Sequence, residues 1–195
     1  GRASHDTTFG EGEAPVLVTD GVTDVDDRSE GDITSMQIAV GGLLDGAAET
    51  LIVMDGATDP TIDLSQSLGS PITTTFGGTT FDISYDGTEI TALNNAGATT
   101  PVDEADLEAL LAALKYENTS ADVTVGDRTF DISVTDTTGS ISTSLASTVA
   151  VVNAETPEID LDDDTAGAND SQYRTVLGTG AAPDGITDGS GTLND

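Results

Sequence analysis

The chain has no cysteine and no tryptophan, a single histidine, His5, and a single lysine, Lys115. Without cysteine no disulfide can form. A secreted protein of this kind needs another staple, and bound metal is the usual substitute. Basic side chains are scarce throughout: five Lys and Arg stand against 36 Asp and Glu, for a formal net charge of −31. Nucleic acids and anionic membranes are poor partners for such a surface, because phosphate binding needs clustered Lys and Arg. No apolar run approaches the ~20 residues of a membrane span, so direct insertion is not expected, and no signal peptide is legible. The elements of known catalytic constellations are missing too. There is no Cys nucleophile, no Gly-x-Ser-x-Gly elbow, no P-loop and no His-based zinc motif. Carboxylates are so plentiful that no pair stands out as a glycosidase acid and nucleophile. No enzyme is expected. His5 reads as a surface residue in an unstructured start. A Lys–Asn isopeptide staple would have to use Lys115. ENTS (117–120) and NDS (169–171) fit the glycosylation sequon as easily by chance as by design.

What is present is a thin but patterned set of apolar residues, 36% hydrophobic and 4% aromatic among 195 residues. The pattern implies a modest core and not wholesale disorder. In RTFDISVTD, Phe130, Ile132 and Val134 fall on one face; Thr129, Asp131, Ser133 and Thr135 fall on the other. Period two of this kind marks a strand with one face on a core and one in water. Similar strands are expected at 14–19, 33–40, 50–54, 79–85, 88–93 and 144–152, separated by Gly, Asp, Asn and Pro. Short strands at this spacing predict a mostly β chain folded as an antiparallel β-sandwich.

One segment has helical spacing. In TPVDEADLEALLAALKYEN (100–118), Leu107, Leu110, Leu111 and Leu114 recur on one face. Thr100 as N-cap, Pro101 at the first helical position and acids in the first turn predict a helix over 102–115, lying across an open edge or end of the sandwich.

The chain also repeats itself. Residues 4–27 set above residues 172–195, an offset of 168, match at nine positions in one ungapped register: Thr7, Gly10, Gly12, Ala14, Pro15, Thr19, Asp20, Gly21 and Asp27 recur as Thr175, Gly178, Gly180, Ala182, Pro183, Thr187, Asp188, Gly189 and Asp195. A period of that size implies a tandem array of whole domains. Residues 1–155 are then expected to form one β-sandwich repeat, and 156–195 a linker and the truncated start of the next. The chain, from Gly1 to Asp195, reads as a piece of something longer.

The acid is concentrated in turn-like text. VTDVDDRSEGD (22–32) holds Asp24, Asp26, Asp27, Glu30 and Asp32 against Arg28 alone, and Asp160, Asp162, Asp163 and Asp164 follow Asn153 and Glu155 near the expected junction. Acidic residues spread over a halophile surface would serve solubility; Asp and Asn gathered in turns suit calcium, which takes six to eight oxygen ligands. The chain shows both, and the densest clusters favour calcium. The EF-hand pattern is not met in 22–32, which lacks the central Gly and the terminal Glu at the required offsets.

Four stretches together resemble the long cadherin-like repeats of giant bacterial surface adhesins, whose chains often end in RTX modules. TTFGEGEAPVLVTDGVTDVDD is similar to that family's opening. LEALLAALKYENTS resembles its helix leading into a Tyr-x-Asn strand. GDRTFDISVTDTTGSIS resembles its Arg-Thr strand and the turn after it, and STVAVVNAETPEIDLD its last strand and Pro-containing linker. The departures are a linker with Asn153 and Glu155 where an Asp-rich one has more carboxylates, and the absence of the RTX nonapeptide from this chain. The resemblance implies an Ig/cadherin-like sandwich module in a calcium-stiffened extracellular stalk at a bacterial cell surface.

In such arrays calcium sites are assembled from separated segments that meet at a domain end. Asp24 and Asp26, at i and i+2, point alike in an extended segment and can offer two carboxylates to one ion, with Asp27 beside them. Glu11, ahead of the first expected strand, is placed to reach the same end. Asp136 closes a strand as a ligand or as a turn former. Asn153, Glu155, Asp160 and Asp162 make a second set, where an ion would lock the angle between neighbouring repeats. The expected role is a calcium-stiffened spacer of an adhesin, its partners being the neighbouring repeats. The alternatives are a module of the same adhesin that itself grips a glycan or peptide, its partner then being a host or surface glycan or protein, and a metal-free halophilic secreted sandwich. Sugar sites usually show exposed Trp or Tyr; with no Trp and only Tyr85, Tyr116 and Tyr173, the chain favours the spacer.

Overall fold

The structure, a computed structural model, describes residues 4–20 and 32–153. All of them belong to one compact unit that closes at Ala154. In chain order its elements are β1 (His5–Gly10), β2 (Val16–Leu17), β3 (Ile33–Gly41), β4 (Glu49–Val53), β5 (Thr61–Asp63), β6 (Ile72–Phe76), β7 (Thr79–Tyr85), β8 (Glu89–Asn94), α1 (Glu104–Ala112), β9 (Leu114–Asn118), β10 (Gly126–Asp136) and β11 (Leu145–Val152). Seven strands form one sheet in the order β1-β11-β10-β3-β8-β7-β6, and four form the other in the order β2-β9-β4-β5. The fold is a mostly β, antiparallel sandwich with one short helix. One pair departs from antiparallel: β1 lies parallel to β11, from His5 opposite Ser147 to Gly10 opposite Val152.

Alternation builds the layers. Phe130 and Ile132 of β10 face inward and are buried, while Thr129 and Asp131 are exposed. The same parity buries Phe81, Ile83 and Tyr85 of β7 and Leu51 and Val53 of β4. Between the sheets Tyr116 meets Phe9 and Phe130 edge-on, with ring centroids 5.5 and 6.2 Å apart. Such edge-to-face contacts add about 0.5–1.5 kcal/mol each beyond area burial.

The register defines two ends. At the proximal pole β1, β3 and β11 begin and β10 ends; at the distal pole β1, β3 and β11 end and β10 begins. The helix closes the proximal pole. Val102 ahead of it donates to the Ile33 carbonyl (2.8 Å), and Asp106 accepts from the N–H of Gly78 in the β6–β7 turn (3.0 Å). Thr19 beyond β2 donates to the Leu111 carbonyl (3.2 Å). Leu107, Leu110 and Leu111 are fully buried beneath it, so the stripe is core packing.

The helix is shorter than 102–115 at both ends. Asp103, not Thr100, is the N-cap, its side chain accepting from Ala105. The bond from Val102 to β3 holds the preceding chain extended, so the helix cannot start at Pro101. At the other end Leu114 and Lys115 pair with Val53 and Ile52 as the start of β9. The strand expected over 14–19 contracts to Val16–Leu17, while the edge strands β1, β5 and β6 form where none was expected. His5 opens β1 and is not part of an unstructured start.

Candidate functional site

Asp136 ends β10 on its inward parity and is buried. Its Oδ1 accepts from the N–H groups of Thr138 (2.8 Å) and Ser140 (2.9 Å) and from the Thr138 hydroxyl (2.6 Å), which is the geometry of an Asx turn. One residue on, the Thr137 N–H donates to the Asp32 carbonyl (2.8 Å). The turn carrying Asp136 is thus bonded to the residue that ends the acidic loop. Asp20, which precedes that loop, follows Thr19 at the same pole. Beside them an open cleft of about 570 Å³ is lined by Asp32, Asp103 and Glu104 together with Ile33, Pro101 and Val102. The proximal pole is therefore an acidic end.

Of the expected ligands, Asp136 stands at this pole. Asp24, Asp26, Asp27, Glu155, Asp160 and Asp162 lie outside the described residues. Glu11 and Asn153 stand together at the other pole: the Glu11 N–H donates to the Val152 carbonyl (3.1 Å), next to Asn153. Glu11 is thus at the end opposite Asp20, Asp32 and Asp136, while Asp24, Asp26 and Asp27, with which it was expected to share an end, are not among the described residues. The parallel β1–β11 pairing puts Glu11 there, because it carries the end of β1 away from the pole where β3 begins. Among the described residues no three His, Cys, Asp or Glu side chains are grouped so as to hold a metal ion.

Many of the described acids cap the backbone. Asp55 Oδ1 accepts from the N–H groups of Ala57, Thr58 and Asp59 at 2.8–3.1 Å, and these bonds hold its carboxyl far below the usual carboxylate range. Asp86 accepts from Glu89 and Thr88 and is lowered for the same reason. Asp63 is lowered by the side-chain hydroxyl and N–H of Ser65. In each case the bonds favour the ionised carboxylate.

Sequence reasoning missed a second constellation, near the distal pole and between the sheets. Arg128 of β10 is completely buried, and so is Glu49 of β4 on the facing sheet. The guanidinium donates from Nε to Glu49 Oε1 (2.5 Å), from Nη1 to the Gly126 carbonyl (2.9 Å), and from Nη2 to the Thr124 carbonyl (2.9 Å) and Asp45 Oδ2 (3.2 Å). The Tyr116 hydroxyl also donates to Glu49 Oε1 (2.7 Å), while Glu49 Oε2 accepts from the N–H groups of Leu44 and Asp45 (2.8 Å each). Asn118 Nδ2 donates to Asp45 Oδ2 (2.7 Å). Burial would push Asp45 up, but the bonds from Thr124 and Asn118 and the charge of Arg128 outweigh it and hold the carboxyl below its ordinary value. Burial and then the bond to Glu49 push the Tyr116 phenol well up. Burial opposes the charge of Arg128, yet Glu49 more than restores it and the guanidinium is held more basic.

This clasp absorbs the Tyr116-x-Asn118 and Arg128-Thr129 motifs that carried the family resemblance. Arg128 joins the two sheets through Glu49, Tyr116 and Asn118 bond to Glu49 and Asp45 from β9, and Thr129 faces outward. The signal was in the alternation: Arg128 shares parity with Phe130 and Ile132, and Glu49 with Leu51 and Val53. No family model matches the chain, and no curated protein matches it. Fold and sites together define a two-sheet β-sandwich unit with a helix over one acidic end and a buried ionic clasp near the other.

Proposed function

We propose that this chain is a calcium-stiffened spacer unit of an extracellular bacterial adhesin stalk, resembling the cadherin-like repeats of that class. The observation that carries the reading is the path of the chain. Because β1 and β11 are parallel neighbours, the chain comes into the unit at one pole and leaves it at the other. A unit threaded this way adds its length to a tandem array, which the repeat of 4–27 at 172–195 implies. The acidic proximal pole supports the calcium part. Asp136 is bonded through its turn to Asp32, and the loop between Asp20 and Asp32 carries Asp24, Asp26 and Asp27.

A second reading has its own support. The carboxylates of Asp55, Asp63, Asp86 and Asp136 serve as turn caps, and no metal-holding group is found among the described residues. That suits an acidic sandwich stable in salt without metal.

Thermal melting of residues 1–195 at low salt separates the two. Extracellular calcium sites bind with Kd of about 10⁻⁴–10⁻³ M. At ~1 mM calcium each site contributes roughly 0.4–1.4 kcal/mol by mass action. The spacer reading expects a rise in Tm with calcium that magnesium does not reproduce and excess chelator reverses. An equal rise with magnesium or sodium chloride is generic screening and puts the metal-free reading first.

A further inference from the structure

We infer that the unit is built to bear tension, with the β1–β11 pair as its mechanical clamp. The inference takes from the stalk reading only that load is applied at one end of the unit and leaves at the other; it uses no metal. Six consecutive residues of β1 pair in register with β11, and the Glu11 N–H extends the ladder to the Val152 carbonyl. The backbone bonds of a ladder cross between strands and not along them. Tension between residue 4 and residue 153 pulls β1 towards the proximal pole and β11 towards the distal pole. Every bond of the pair is then strained at once, in shear. Were both ends loaded at one pole, the same bonds would open one at a time, like a zip.

Side chains reinforce the shear. Phe9, on β1, is fully buried and packs edge-on against Tyr116 of the other sheet, so β1 cannot slide without drawing a ring out of the core. The Ser147 hydroxyl of β11 donates to the carbonyl of Val18, just beyond β2. On its other side β11 is held along its length by β10, from Gly126 opposite Val151 to Ile132 opposite Leu145. The strand that carries load out of the unit is therefore flanked by partners on both sides, and the strand that carries load in is anchored by an aromatic ring.

The absence of native cysteine makes the test direct. Ser4, Ser144 and Asn153 are all exposed. A Ser4→Cys/Asn153→Cys variant of the full chain is pulled through its two thiols in shear, and a Ser4→Cys/Ser144→Cys variant is pulled from one pole as a zip. Both are compared at one loading rate in single-molecule force spectroscopy, after melting curves show that both keep the parent Tm. Forced unfolding reports the barrier along the pulled direction and not the equilibrium stability. The expected result is a rupture force several-fold higher in shear than in the zip geometry, in calcium and in chelator alike. Equal rupture forces in the two directions overturn the clamp. A directional difference in a protein whose melting ignores calcium keeps the clamp and removes the metal from the stalk reading.

Discussion

Arg128 is the largest fully buried side chain among the described residues, and a buried guanidinium survives only with acceptors for its N–H groups. Here Glu49, Asp45 and two backbone carbonyls supply them. Removing one partner leaves the others charged and unpaired in a dry interior, so Arg128→Met is expected to cost about 3–5 kcal/mol. Glu49→Gln strips the opposing charge but keeps a hydrogen-bonding side chain and should cost less. The two changes share one bond, so their effects should fail to add, with a coupling of about 0.5–3 kcal/mol. Urea denaturation of the two single variants and the double variant measures this. Additive losses would mean that the pair is not the unit of stability. The Asp45 arm adds a pH signature. A carboxyl held below its ordinary value stabilises the fold above about pH 4 and loses that contribution as the pH falls further. The cost of Arg128→Met should therefore shrink in acid, where Asp45 is neutral and needs no cation.

The helix shows how an element is settled by a neighbour more than by its own text. Thr100-Pro101 and Asp103-Glu104 are both reasonable starts by local chemistry. The Val102 bond to Ile33 decides for Asp103. Asp103→Ala should then cost about 0.5–2 kcal/mol in urea denaturation, and Asp103→Asn close to nothing, because an amide oxygen caps as well. An equal loss for both would assign Asp103 a role for its charge, not for its capping oxygen. The same contrast runs through the rest of the fold. Strands with clear apolar alternation, such as Thr79–Tyr85 and Gly126–Asp136, were legible in the sequence because half of each faces the core. Ile72–Phe76 is mostly threonine at a sheet edge and Thr61–Asp63 is three residues long, so neither carries a readable period. Asp136 was legible as a strand end. Which pole each acid occupies was not, because that depends on the parallel pairing of two strands more than a hundred residues apart. Parity alone would have found the clasp, since it puts Arg128 and Glu49 on the same inward faces as Ile132 and Leu51.

At the scale of the molecule, two quantities matter: a formal charge of −31 and a chain that crosses the unit from pole to pole. The charge destabilises any compact state by self-repulsion, and calcium at an acidic end would relieve some of it. The pole-to-pole path is independent of charge, and it makes a geometric prediction. The register aligns His5 with Ser147 and Gly10 with Val152. Ser4 and Asn153 are then offset by seven residues of strand, roughly 23 Å at ~3.3 Å per residue. Ser4 and Ser144 are offset by only two, and their labels should lie within roughly 10 Å on the same rise. Spin labels on the paired cysteine variants distinguish the two by dipolar spectroscopy. The long distance for Ser4–Asn153 should appear as a narrow distribution that chelator leaves in place, because it is set by the backbone ladder and not by an ion. A short Ser4–Asn153 distance would return the chain to the pole where it came in. Such a unit could not add length to a stalk, whatever its acidic loops bind, and the same result would remove the shear geometry on which the clamp depends.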